Sequence, residues 1–254
     1  MVPNNAFHAT RADPYGQAAG AMTMPKVKSV FLDFIRHVVN GEIDEVSRRL
    51  AANPSFATAP SDVGATRQDA STFFFREIAH YLYAGDTALH MAAAAFRRPV
   101  AELLVVHGAD CRAKNRRGAE PLHYAADTNH WDPTAQADVI EYLLSVGTDP
   151  NALDSDGVAP LHRAVRTRSL PAVRALLDGG ADPKLPNKAG STPLHLAVQT
   201  TGRGGSGSQH ARRQQTGISS LLLERGASLT AKDGRGKEVR EAATSEWIRT
   251  LLSG

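Results

Sequence analysis

Four short strings recur along the chain: TALHMA from Thr87, EPLHYA from Glu120, APLHRA from Ala159 and TPLHLA from Thr192, at intervals of 33, 39 and 33 residues. Each is followed by a second mark: HGAD at His107, VGTD at Val146, GGAD at Gly179 and RGAS at Arg225. From the histidine of the first mark to the glycine of the second the spacing is 18, 24, 18 and 31 residues. Two units therefore share one spacing, and the other two carry 6 and 13 extra residues between the same two landmarks. A period of this length constrains the fold before any other feature does, because it requires one supersecondary unit stacked on copies of itself.

The unit can be read from its own residues. In TPLHLA, Thr192 is a good helix N-cap, and Pro193 suits a first turn in which its missing N–H is not needed. Leu194 and Ala197 lie three apart, on one buried face. A second apolar run at helical spacing follows, as in VIEYLLSVG and AVRALLDGG. It closes on Gly108, Gly147, Gly180 or Gly226, read as helix stops in the left-handed conformation. Turn residues come next: NRRG, DSDG, NKAG and KDGRG. Each unit is then helix, turn, helix and a hairpin-like finger, and no unit buries its apolar face without a neighbour.

The 33-residue period with T-P-L-H-x-A resembles the ankyrin repeat family over residues 85 to about 236. The resemblance implies an all-α solenoid of stacked helix-turn-helix units with β-hairpin-like finger loops. It also implies that the motif Thr and His hydrogen-bond within and between repeats, as Thr87 with His90 and Thr192 with His195. Glu120 and Ala159 replace the Thr in the middle repeats, so His123 and His162 are expected to lose that partner; Ala88 replaces the Pro.

Residues 1–25 mix Pro, Gly, Asn and Ala without periodicity and read as a disordered tail; residues 26–254 read as one repeat domain. Within it, an N-terminal cap is expected over 27–60, a connecting segment over 61–84, repeats over 85–117, 118–156, 157–189 and 190–236, and a C-terminal cap over 237–254. In the first cap Val27, Val30, Phe31, Phe34, Ile35 and Val38 form one helical stripe, Asn40-Gly41 is a stop and IDEVSRRLAANP is a second helix. In the last, GKEVREAATSEWIRTLL is a helix pair with Glu241 at the place of the motif histidine. In the connecting segment Phe74, Ile78 and Leu82 are four apart, which favours a short helix over an extended finger.

Composition excludes several chemistries. Lys+Arg 29 against Asp+Glu 26 gives a net charge of +3, which permits an acidic partner but makes nucleic acid an unlikely one. The single cysteine, Cys111, allows no internal disulfide, consistent with a reducing compartment and a cytoplasmic location. No run reaches the 18 or more apolar residues of a membrane span, and no secretory signal is visible. The recurring histidines each occupy a helix-start motif, where a structural hydrogen-bonding role outweighs a metal ladder, since metal needs ligands converging on one point. No nucleophile elbow or metalloprotease motif is present. The expectation is a non-enzymatic monomer without cofactor or metal.

Binding is expected instead, and the resemblance implies a protein partner. Both insertions fall between the two helices of their repeat, on the edge away from the fingers, flanking the short turn RTRSLP. That edge reads Phe96, Arg97, Arg98; His130, Trp131, Asp132; Arg166, Arg168; Arg203, His210, Arg212, Arg213. A basic strip with an aromatic anchor would suit a binding surface, and long basic side chains that keep an edge soluble weigh about equally. The competing surface is the finger tips with the first helices on the concave side, where Arg116, Arg117, Asp127, Arg163 and Arg166 are candidates. The tips alternate in sign, which favours a patterned protein over a uniform polyanion. An alternative function is anion, nucleotide or nucleic-acid binding by the Gly/Ser-rich insertion 199–215 with the 166–168 turn, although GRGGSGS lacks P-loop spacing. A weaker one is an accessory regulatory subunit of an enzyme.

Overall fold

The computed structural model describes residues 26–127, 132–199, 208–243 and 245–252; the expected tail lies outside them. Helices α1 (Lys26–Asn40), α2 (Ile43–Ala52) and α3 (Ser55–Thr58) open the chain. Four pairs follow: α4 (Ala88–Ala94) with α5 (Arg98–Val106), α6 (Pro121–Ala126) with α7 (Pro133–Ser145), α8 (Pro160–Thr167) with α9 (Leu170–Asp178), and α10 (Pro193–Ala197) with α11 (Gln209–Glu224). Helices α12 (Val239–Ala242) and α13 (Glu246–Leu251) close it. The first helices pack in one layer, α1 on α4, α6, α8, α10 and α12, and the second helices in another, α5 on α7, α9 and α11. One apolar core runs between the layers from Leu32 to Leu252, so every repeat buries its face on its neighbours.

The helix stops are where the glycines place them. Gly108, Gly147, Gly180 and Gly226 all have φ between 89° and 92°, a conformation that a Cβ opposes. The fingers then close on one repeated turn. Asn115, Asp154, Asn187 and Asp233 each accept, on one side-chain oxygen, the N–H groups two and four residues on. The short polar side chain takes the bonds the turn backbone leaves open.

The motif histidines tie the layers together. His90 Nδ1 accepts the Thr87 N–H at 3.1 Å, so the proton sits on Nε2, which donates to the Ala119 carbonyl of the next repeat at 3.0 Å. His123, His162 and His195 repeat this towards Val158, Ser191 and Lys237. The loss expected at His123 and His162 is confined to the hydroxyl: the backbone N–H groups of Glu120 and Ala159 still donate to Nδ1, at 3.1 and 3.2 Å. Glu241 does the histidine's local task in the last unit, accepting the Glu238 N–H at 2.9 Å.

Three expectations need correction. The helix across Phe74, Ile78 and Leu82 does not form; two 3-10 turns, Ser71–Phe73 and Arg76–Ile78, alternate with an antiparallel pair, β1 (Phe74–Phe75) and β2 (His80–Tyr81). Ala79 at φ 47° makes the turn, and burial alternates so that Phe75 faces the core while Phe74 meets the Tyr81 ring, tilted, at 4.8 Å. Val30 is 47% exposed rather than part of the buried face that Phe34, Ile35 and Val38 form. The insertions are only partly loops: α7 has 13 residues and α11 has 16, against 9 in α5 and α9. Ser208 caps α11 by accepting the Ala211 N–H at 3.1 Å, which turns the end of the Gln199–Gln215 stretch into helix.

Candidate functional site

The candidate residues separate onto two sides of the stack. Arg117, Asp127, Arg163 and Arg166 come together around a concave cleft of ≈ 350 Å³. Its floor is Tyr124 and Asp127 at the end of α6 with Arg163 and Arg166 on α8. Its rim is two fingers, through Asn115 and Arg117 in one and Asp154 and Asp156 in the next. Its remaining wall is the β1–β2 hairpin, through His80, Tyr81 and Tyr83.

Arg163 organises the centre. It donates through Nη1 to Asp127 at 2.7 Å and through Nη2 to Asp154 at 2.8 Å, with all three side chains mostly buried. Burial alone would push the Asp154 carboxyl up, but Arg163 and the Val158 N–H outweigh it and hold it below its usual value. Burial likewise works against the Arg163 charge, and the two carboxylates more than offset this. The pair of bridges fixes the second finger, nine residues away in sequence, to the groove floor.

A second network fixes the first finger. Asp86, fully buried, accepts from Asn115 Nδ2 at 2.8 Å and from the Tyr124 hydroxyl at 2.7 Å on one oxygen, and from the Tyr83 N–H at 2.7 Å on the other. Burial, reinforced by Asp86, pushes the Tyr124 hydroxyl well above the ordinary tyrosine value, so it stays a donor. Burial lowers His80, which is therefore neutral near pH 7, its ring edge-on to Tyr124 at 4.9 Å. The fingers join directly where the Ser155 N–H donates to the Arg117 carbonyl at 2.9 Å.

The other candidates lie elsewhere. Arg116 is exposed beside Asp62–Thr66, around the corner from the cleft. Arg168 adopts φ 60° at the end of α8 and reaches the Gln199 carbonyl at 3.5 Å. Arg212 lies over the Trp247 ring at 5.9 Å, and Arg213 is exposed on α11. Along the same edge Arg97 donates to the Val39 carbonyl, and Arg98 pairs with Glu102 and Asp138. His130, Trp131 and Arg203 lie outside the described residues, as does 200–207 of the Gly/Ser-rich stretch. Several of that edge's arginines are thus engaged by the protein's own groups.

Sequence reasoning missed His80, Tyr81, Tyr83, Asn115 and Tyr124. The available signal was the tyrosine inside EPLHYA, since a polar-tipped ring at a buried helix position needs a hydrogen-bond partner. Among the described residues no group of three or more His, Cys, Asp or Glu side chains is placed to hold a metal ion, and no helix is long and apolar enough to cross a membrane. Cys111 is half-buried and its thiol is pushed up by burial, the opposite of an activated nucleophile.

Comparison with known proteins agrees with this architecture. A family model described as ankyrin repeats (3 copies) matches residues 67–154 and 132–233, more than half of the chain. An E3 ubiquitin-protein ligase of Arabidopsis thaliana is 37% identical over 81 residues, 32% of this chain and 5% of that protein. A putative ankyrin repeat protein of Fowlpox virus is 32% identical over 99 residues, 37% of this chain and 28% of that protein. Protein phosphatase 1 regulatory subunit 27 of Homo sapiens is 34% identical over 76 residues, 30% of this chain and 46% of that protein. The chain thus spans less than half the length of each of these relatives.

Proposed function

The chain belongs to the ankyrin repeat family, and from that we propose that it is a non-enzymatic scaffold that holds a segment of a partner protein on its finger and concave surface. The observation that carries this reading is the cleft. Its walls come from five separate elements, and two buried networks hold them in place before any partner arrives. A surface already ordered spares the entropy that binding otherwise costs, which is what a stacked solenoid offers over a flexible loop. The single thiol fits a monomer working in a reducing compartment such as the cytoplasm.

A photo-cross-linking residue at Tyr81, in the cleft, and another at Arg213, on the opposite edge, separate the two surfaces. Partner adducts from position 81 and none from 213 are expected. Adducts from 213 alone would overturn the concave assignment and restore the arginine edge.

A second reading has one observation in its favour. The similarity to a phosphatase regulatory subunit supports an accessory role in which the bound partner is an enzyme. Nucleotide or anion binding by 199–215 has less support, since Arg168 and Arg212 are engaged within the chain and Arg166 faces the cleft.

A further inference from the structure

The charges that line the cleft are not equally available. Arg163, Asp127 and Asp154 are committed to one another. Asn115 and Tyr124 are committed to Asp86. What remains is Arg117, exposed and without an ion pair or side-chain hydrogen bond among the described residues; Arg166, 58% exposed with a single 3.6 Å approach to Asp127; and the exposed carboxylate of Asp156. Beside them stand the half-buried rings of Tyr81 and Tyr83, 6.1 Å apart and continuous with Phe74 through Tyr81. Three arginines against three aspartates balance the lining as a whole, but Arg117 and Arg166 are the cations with exposed heads, and both come from rigid elements, a finger and a helix.

Building on the protein-binding reading above, we infer that the cleft takes a short extended peptide in which a carboxylate side chain is flanked by aromatic residues. The carboxylate pairs with Arg117 and Arg166, where planar guanidinium forks match carboxylate geometry. The flanking ring lies on Tyr81 and Tyr83, a surface suited to offset or edge contacts and poor for a purely aliphatic chain. Asp156 and the buried carboxylates behind Arg163 select against a polyanion, whose continuous charge would meet three acidic residues along the cleft. The occupant is therefore a protein segment of mixed aromatic and acidic character rather than a nucleic acid.

The test uses the full chain and three fluorescent probes, followed by anisotropy at low salt: a Gly/Ser peptide carrying one central Tyr-Glu-Tyr (the Glu–Tyr peptide), the same peptide with Tyr-Lys-Tyr (the Lys–Tyr peptide), and a single-stranded thymidine oligonucleotide. The Glu–Tyr peptide is expected to bind, and Arg117→Ala with Arg166→Ala to weaken it by about tenfold or more. Arg174→Ala on the exposed side of α9 is expected to change nothing. The double charge reversal Arg117→Glu with Arg166→Glu should transfer binding to the Lys–Tyr peptide, a switch that loss of fold cannot produce. Failure of the Glu–Tyr peptide to bind, equal binding of the oligonucleotide, or indifference to both double variants would each overturn the inference. If a partner still cross-links at position 81 in that case, the concave surface stands as the binding site and only the assigned peptide chemistry falls.

Discussion

The two edges of this stack solve the same problem with different bonds. On the finger edge four turns have one length and one bonding pattern, and neighbouring fingers are joined by backbone groups, Ser155 N–H to Arg117 carbonyl and Gly234 N–H to Ala189 carbonyl, both at 2.9 Å. On the opposite edge the second helices run to 9, 13, 9 and 16 residues, and the bonds there are made by side chains. Gln136 and Gln215, at matching places in α7 and α11, each donate to a carbonyl at the end of their own repeat's first helix, Ala125 and Ala197. Two more side-chain bonds join neighbouring repeats: the Ser169 hydroxyl donates to Gln136 Oε1, and Gln214 Oε1 accepts the Leu170 N–H. A backbone bond between layers fixes the length of both partners, whereas a side-chain bond tolerates extra residues beside it. That is why insertions accumulate on one edge, where loop closure grows only slowly with length.

The comparison can be broken most forcefully at the finger edge. His90→Ala removes a fully buried ring, leaves the Thr87 N–H without its partner and takes from the Ala119 carbonyl one of its two donors, the other being the Asn115 N–H; a loss of about 3 kcal/mol or more is expected from denaturant unfolding. Gly190→Ala comes next, at roughly 2–3 kcal/mol, because φ is +75° and the added Cβ meets the Gly234 backbone nitrogen at 2.3 Å. Its counterpart on the other edge, Gly217→Ala in α11, meets only the movable end of Leu170 at 2.8 Å and gains helix propensity, so a change below about 1 kcal/mol is expected. Equal losses at the two glycines would erase the distinction between the edges.

Acidification sharpens the same contrast. Burial lowers His90, His123 and His162, with His123 at about 4. The unfolded chain therefore takes up protons first. This stability is fully present above about pH 6.5 and is lost as pH falls towards 4, with about 2 kcal/mol gone from His123 alone at about pH 5. A thermal midpoint that does not fall over this range would show that the ladder titrates normally. Glu120 has the opposite sign: burial raises its carboxyl, so its contribution improves as pH falls. Among the described residues its Oε2 has no hydrogen-bond partner, and Lys114 Nζ lies 3.8 Å from its Oε1. Glu120→Thr copies Thr87 and Thr192 and is expected to stabilise by about 1 kcal/mol in urea unfolding. The smallest effect belongs to the variable edge, where deletion of residues 202–207 should alter stability by less than about 0.5 kcal/mol.

Most of the repeat was legible from local signals. Caps, prolines at helix starts and stop glycines act within a few residues of themselves, so the helix pairs and turns could be read without knowledge of the stack. The N-terminal hairpin was not. Phe74, Ile78 and Leu82 have helical spacing, yet what decides the segment is the buried face it meets, and that face takes Phe73, Phe75, Ile78 and Leu82 at a spacing no single helix matches. The extra residues of α7 and α11 were hidden for a similar reason. Asp132 and Ser208 are sound N-caps, but Ser208 lies among Gly, Ser and Arg residues and Asp132 follows the polar run Asp127–His130, both of which read as loop.

The sequence by itself determined the period, the register and the four-fold repetition of helix stop, finger turn and bridging histidine. Each of these rests on backbone conformation set by one or two neighbouring residues. Only the tertiary structure decided which charges remain for a partner. Arg163 reaches Asp127 across 36 residues and Asp154 across nine, and Asp86 reaches Tyr124 across 38. Electrostatic pairing depends on distance in space and on burial, so the arginines that look equivalent along the chain become a locked bridge, a capped helix end or an open guanidinium only once the repeats are stacked.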